Sequence, residues 1–419
     1  MSEPLTHERA GLPRLLRAYN HAVRGAARLG LRQRRLSADR ILARARRRTG
    51  LSDFGEGDVV EPLEILVDSL ERDAGLTPLG RRGVADTLVQ SLSKRLRIVD
   101  YVARQGEIVE ERIRRPMFVV GLPRTGTTML LNLLAQDPAA RPLLGWEAWA
   151  PIPFRRRRRS GPDPRIRRFA LALGVLNYAA PSLREVHAIE VDGPDECAPL
   201  LVRTLVTGYY SLAHRVPRYE EWLFSRPRSA FEIVYRFHEL QLKLLQHQRR
   251  GERWLLKSPA HLIALDALVA VYPDACIVHT HRDVAKVFPS TCSLTAVARR
   301  IASDRVDPVL LGREALTRAR RMTERVMRVR EALPERQVCD VRYADLVADP
   351  PGTLRRIYAH FDLPVPPDLE TRTSRWLESN RQHKHGVHRY SLEAFGTDRA
   401  EIDRIAAEYM ERFDVPRED

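Results

Sequence analysis

The stretch that decides the fold reads PMFVVGLPRTGTTMLLNLL at residues 116–134: a short apolar run, a turn rich in glycine and threonine, then apolar residues at helical spacing. A buried strand, a tight turn and a helix in that order aim backbone N–H groups from a helix N-terminus, where they bind anions. Gly121 and Gly126 have the G-x-x-x-x-G spacing of a P-loop, but Thr127 stands where a nucleoside triphosphatase carries its lysine. The hydroxyls of Thr125, Thr127 and Thr128 and the guanidinium of Arg124 add donors to the same turn. The reading is a phosphate cradle without ordinary ATP chemistry.

Downstream, strand-like and helix-like pieces alternate. Strands are expected at 254–257, 275–280 and 337–342, and a helix at 261–271. That alternation predicts a P-loop-like, three-layer α/β/α fold around a parallel sheet, in which ligands collect at the carboxyl ends of the strands. Gly121, Lys257, Arg282 and Tyr343 each fall at such an end, so four segments point at one crevice. Upstream, residues 1–115 read as a helical extension. Leu15, Leu16, Tyr19, Val23 and Ala27 recur among Arg14, Arg17, Arg24 and Arg28 as a basic amphipathic segment, and further helices are expected at 37–48, 61–72 and 77–104 with Ser37 and Thr77 as N-caps. The α/β domain, residues 116–419, carries a helical insertion at about 151–250. Five consecutive arginines at 155–159 mark its start, an exposed loop or an electrostatic funnel, and the insertion shapes a pocket over the crevice.

Composition narrows the function. A hydrophobic fraction of 44% and a charged fraction of 30% suit a folded soluble chain of 419 residues. Seventy basic residues against 54 acidic ones, a formal charge of +16, favour anionic partners. Aromatic residues are sparse and no nucleic-acid motif is present, so nucleic acid is not the expected partner. Only five basic residues are lysines, at 94, 243, 257, 286 and 384. The four cysteines are scattered, with neither a C-x-x-C pair nor metal-ligand spacing, so reduced thiols and no metal are expected. No apolar run approaches the roughly 18 residues of a membrane span, and the charged N-terminus does not suit a signal peptide. A cytoplasmic protein is expected. Whether the basic amphipathic segment touches a membrane or docks on the domain stays open, as does the oligomeric state.

The second motif is CIVHTHRDVAKVFPSTCSL at residues 276–294. A buried strand delivers Arg282 and Asp283 at its end, and Ser290 follows eight residues after Arg282, a pairing that suits a second phosphate. With the altered P-loop, these residues resemble the sulfotransferases that use 3′-phosphoadenosine 5′-phosphosulfate, especially a bacterial branch whose loop reads P-R-T-G-T-T. The resemblance covers about residues 116–395. It implies that Arg124, Thr125, Gly126, Thr127 and Thr128 hold the 5′-phosphosulfate and that Arg282 and Ser290 hold the 3′-phosphate. In WLLKSPAHL, Lys257 takes the place of a family lysine near the transferring group. HKHGVHRYSLEAFG, which departs from the better-known R-K-G form, resembles the closing loop, with Lys384, His385 and Gly386 as contacts.

A general base is needed for the acceptor hydroxyl, and the phenol and steroid branch places a histidine where this chain has Pro259. Other branches use a glutamate shortly after the first helix, which favours Glu147 in GWEAW, where Trp146 and Trp149 could raise its pKa. His187 and His261 are the alternatives, and Glu196 could orient whichever group acts. The expected activity is sulfuryl transfer to a hydroxyl or amine of a small-molecule or lipid acceptor. A nucleotide-dependent phosphoryl transferase and a non-catalytic basic protein are the competing readings.

Overall fold

Residues Met117–Gly121 form β1, buried at every position, at the centre of a five-stranded sheet. β2 (Ala140–Pro142), β3 (Arg253–Lys257), β4 (Cys276–His281) and β5 (Val338–Arg342) complete it in the order β2-β3-β1-β4-β5, with every neighbouring pair parallel. The computed structural model describes residues 13–30, 33–154, 161–181, 189–380 and 391–418. The chain builds one half of the sheet through β2 and β3, then crosses β1 to build the other half. Such a crossing opens a crevice at the carboxyl ends of the strands beside β1.

The sheet is covered on both faces, as all-parallel sheets require. Side chains alternate along β1: Met117 and Val119 pack with Leu130, Leu134 and Leu255, whereas Phe118 and Val120 join a larger cluster on the opposite face. That larger cluster also contains Ile41, Leu63, Leu66 and Leu92 from the N-terminal helices. These helices are α1 (Arg14–Arg28), α2 (Ala38–Thr49), α3 (Val60–Asp73) and α4 (Pro78–Ala103). Ser37 and Thr77 cap α2 and α4 as expected, their hydroxyls accepting from the amides of Arg40 and Gly80. One side of α1 is docked: Asn20 is buried and its side chain accepts from the Leu79 amide at 2.8 Å.

Two local departures from the sequence reading have simple causes. β2 is only three residues long and contains a proline, too little for a period-2 pattern to register. The expected helix at 261–271 is split into a 3₁₀ turn, Pro259–Ala264, and the helix Leu265–Val271, because Pro259 and the Ser258 cap start the turn early.

Candidate active site

The turn after β1 is shaped by close packing. Gly121 lies in register with Thr280 of β4, and a Cβ there would stand 2.2 Å from the Thr280 hydroxyl. Gly126 has φ 87°, and a Cβ on it would stand 2.8 Å from the Tyr343 ring, so this position is glycine for both backbone and space. Arg124 also lies in the left-handed region, at φ 72°. A non-glycine residue there stores strain of order 1–3 kcal/mol and is held by its surroundings. The turn runs into α5 (Thr127–Leu134), and the short α6 (Gly145–Trp149) follows β2.

The threonines divide by burial. The Thr125 hydroxyl donates to the Leu122 carbonyl at 2.7 Å and meets the Thr280 hydroxyl at 2.6 Å, so it holds the turn and leaves only its backbone to a ligand. Thr127 is buried, whereas Thr128 and Arg124 are exposed at the mouth.

The four strand ends converge as the sequence predicts. The Arg124 Nε donates to the Ser290 hydroxyl at 2.9 Å, on the helix Val284–Arg300. The Arg282 guanidinium lies 4.0 Å from the Tyr343 ring centroid, and its Nη1 reaches the Arg124 carbonyl at 3.4 Å. Lys257 is buried, and its Nζ donates to Thr128 Oγ1 at 3.3 Å and to Glu196. Glu196 itself is fixed by main-chain pairing: the Asp195 amide donates to the Leu143 carbonyl at 2.8 Å and the Cys197 amide to the Lys257 carbonyl at 2.9 Å. The segment is therefore laid along the ends of β2 and β3, and the Glu196 side chain is 19% exposed.

An anion stand-in marks the Arg282 position. The Glu418 carboxylate accepts from Arg282 Nε at 2.9 Å and Nη2 at 2.8 Å. Its tail is tied down by the Glu418 amide, which donates to Asp283 at 2.8 Å, and Arg399 pairs with the same Asp283 at 3.1 Å. The arginine fork, Ser290 and the cradle thus fit a ligand with two separated anionic groups.

Glu147 does not stand in this crevice as an available base. It is buried, with Arg141 Nη1 and Nη2 each at 3.0 Å from one of its oxygens and Arg249 Nε at 3.0 Å. Burial alone would raise its pKa, but the hydrogen bonds and charges of Arg249 and Arg141 outweigh it and hold the carboxyl below its usual range. The tryptophans predicted to raise it are overridden by two arginines whose positions the sequence did not reveal. His261 is likewise buried at 0% exposure, with Nδ1 3.0 Å from the Tyr235 hydroxyl, and burial, then His238, push its pKa well down. Its ring is closed off from solvent. His187, Lys384, His385 and Gly386 lie outside the described residues.

Two groups among the described residues bring three ligating atoms within 4.8 Å of one another. In His279, His281 and Asp340, both His281 nitrogens are already bonded, to Tyr409 and Asp340, and Asp340 takes a bidentate pair from Arg330. In Cys197, His238 and His261, both Nδ1 atoms meet tyrosine hydroxyls while both Nε2 atoms have no hydrogen-bond partner among the described residues. The second group has the donor types of a zinc site, a possibility that cysteine spacing did not signal.

The geometry can be set beside known proteins. A profile of the sulfotransferase family matches residues 116–367, more than half of the chain. The chain belongs to the sulfotransferase family. It is 32% identical to the crystallised sulfotransferase STF1 of Mycobacterium tuberculosis H37Rv, at a TM-score of 0.79 over 90% of this chain and 100% of that one. STF9 of Mycobacterium avium is 30% identical, at a TM-score of 0.82 over 91% of this chain and 97% of that one. Among curated relatives, the omega-hydroxy-beta-dihydromenaquinone-9 sulfotransferase Stf3 of Mycobacterium bovis is 27% identical across 72% of this chain and 76% of its own length. At the level of the family, the activity is sulfuryl transfer dependent on 3′-phosphoadenosine 5′-phosphosulfate.

Proposed function

We propose that this sulfotransferase moves the sulfuryl group to a hydroxyl of an apolar acceptor, with Glu196 as the general base and Lys257 as the cation beside the transferring group. The observation that carries this reading is the placement of Lys257 between Glu196 and Thr128, one arm on a carboxylate and one on the phosphate cradle. Arg124 and the backbone of residues 124–128 face the 5′-phosphosulfate, and Arg282 and Ser290 face the 3′-phosphate. When the donor binds, the Lys257 ammonium turns toward the oxygen that bridges sulfur and phosphorus, and Glu196 becomes more basic as it loses that cation. Glu196 takes the acceptor proton as the new O–S bond forms. The bridging S–O bond breaks, and its electron pair leaves with adenosine 3′,5′-bisphosphate.

A sulfuryl group carries less charge than a phosphoryl group, so fixed arginine, lysine and backbone dipoles suffice for the leaving phosphate. Donor binding is therefore proposed to be independent of metal. An apolar acceptor is supported by the half-buried Trp149 and the buried Phe169 beside the Glu196 segment, and by the omega-hydroxy-beta-dihydromenaquinone-9 in the name of Stf3. The test is transfer of radiolabel from labelled donor to a bacterial lipid extract. Label in the organic phase that disappears with Glu196→Gln supports the reading. Transfer that instead requires a Mg²⁺ nucleoside triphosphate overturns it in favour of phosphoryl chemistry.

A further inference from the structure

We propose that the outer face of α7 (Pro164–Ala179) is a docking surface for a bilayer containing anionic lipid. The inner face of this helix is accounted for. Arg165, Phe169 and Leu173 are buried, Arg165 Nη1 donates to the Ala150 carbonyl at 3.0 Å, and Phe169 packs on Trp149 with ring centroids 5.9 Å apart. The outer face carries Leu171 at 73% exposure, Val175 at 70% and Tyr178 at 57%. Their spacing of four and three residues sets them in one stripe, which Arg168 heads and exposed Arg167 flanks. An isolated exposed leucine needs no explanation, whereas an apolar stripe in register on one helix does.

The charge pattern selects the occupant. The helix holds three arginines and no acidic residue, in a chain of net charge +16. A second copy of the chain would meet this face with the same positive charge, and three apolar side chains fall far short of the roughly 800 Å² per partner of a stable interface. Apolar residues beside arginines suit the boundary between acyl chains and anionic headgroups. Among the described residues no helix is long and apolar enough to cross a membrane, so the contact is peripheral.

The position of α7 gives the docking a consequence. A Cβ on Gly145 would stand 2.9 Å from the Phe169 ring and 3.1 Å from an Asp195 carboxylate oxygen, so the inner face of α7 and the segment bearing Glu196 meet at one point. A docked helix therefore lies between the bilayer and the proposed base, and an amphiphile needs to leave the bilayer only far enough to present its hydroxyl. That last step rests on the proposed transfer reaction; the docking does not.

The experiment is co-sedimentation of the full chain with vesicles of phosphatidylcholine alone and of an equimolar mixture with phosphatidylglycerol. The wild type is expected to bind the mixed vesicles, to bind neutral ones weakly, and to be released by salt. The triple substitution Leu171→Gln, Val175→Gln, Tyr178→Gln touches only exposed positions. It is expected to lower partitioning at least about tenfold with unchanged circular dichroism and donor affinity. Arg167→Gln with Arg168→Gln is expected to weaken binding and flatten its salt dependence. Equal binding by the triple variant, no binding by the wild type, or a loss of self-association in place of vesicle binding would each overturn the proposal. Failure of the transfer reading would instead remove donor binding and leave vesicle binding intact.

Discussion

Glu147 and Glu196 are both acidic side chains set against cations, yet their surroundings give them opposite prospects. Glu147 is buried at 2% exposure between Arg141 and Arg249, with three guanidinium bonds at 3.0 Å. Arginine cannot give up its proton and its planar fork matches both carboxylate oxygens, so this arrangement fixes structure. Glu196 is partly exposed and shares a lysine with the donor cradle. A lysine is a movable point charge on a flexible stem, so this arrangement can change when a ligand arrives. The identity and mobility of the partner cation, more than burial, separate a structural carboxylate from the proposed base.

The comparison breaks most readily at Glu196. Glu196→Gln is expected to lower turnover by about 10²–10⁴ while leaving adenosine 3′,5′-bisphosphate affinity nearly unchanged. Steady-state kinetics paired with calorimetry measure both quantities. Glu147→Gln should do the reverse, costing about 3–5 kcal/mol of stability by leaving Arg141 buried without its counter-charge, with turnover of the folded fraction preserved. Denaturant unfolding measures that loss, and its pH dependence sharpens the assignment. Because the folded carboxyl has a lowered pKa, its contribution is present above the unfolded value of about 4.3 and fades as pH falls through the folded value. The gap between wild type and Glu147→Gln should therefore be full at neutral pH and close under acid.

Smaller effects are expected on the donor side. Arg282→Ala should weaken adenosine 3′,5′-bisphosphate binding roughly ten- to a hundredfold, the size of a lost hydrogen bond to a charged group. It should leave binding of the 5′-phosphate analogue without a 3′-phosphate unaltered. Glu418→Gln removes a carboxylate that a 3′-phosphate at the proposed Arg282 position would displace, and should tighten bisphosphate binding about two- to fivefold, as for a partly exposed ion pair. Unchanged affinity in Glu418→Gln would mean that the tail and the ligand occupy Arg282 together.

The crevice beside β1 was legible because its determinants are local. β1, its turn and α5 are contiguous, and Arg282 and Ser290 lie on one strand–helix unit, so periodicity and motif spacing place them together. The surroundings of Glu147 and Glu196 were not legible, because their contacts come from distant segments. Arg249 reaches Glu147 across 102 residues, and Lys257 reaches Glu196 across 61. No spacing in GWEAW signals that Arg141 and Arg249 will close on its glutamate. Similarly, apolar spacing alone does not tell a helix's core face from its outer face, and only the fold divides Phe169 and Leu173 from Leu171 and Val175.

The most direct test of the account is a calorimetric titration of the full chain with adenosine 3′,5′-bisphosphate in the presence of a chelator, beside ADP with and without Mg²⁺. The account predicts binding that needs the 3′-phosphate and is indifferent to metal. Binding confined to the Mg²⁺-nucleotide would contradict it.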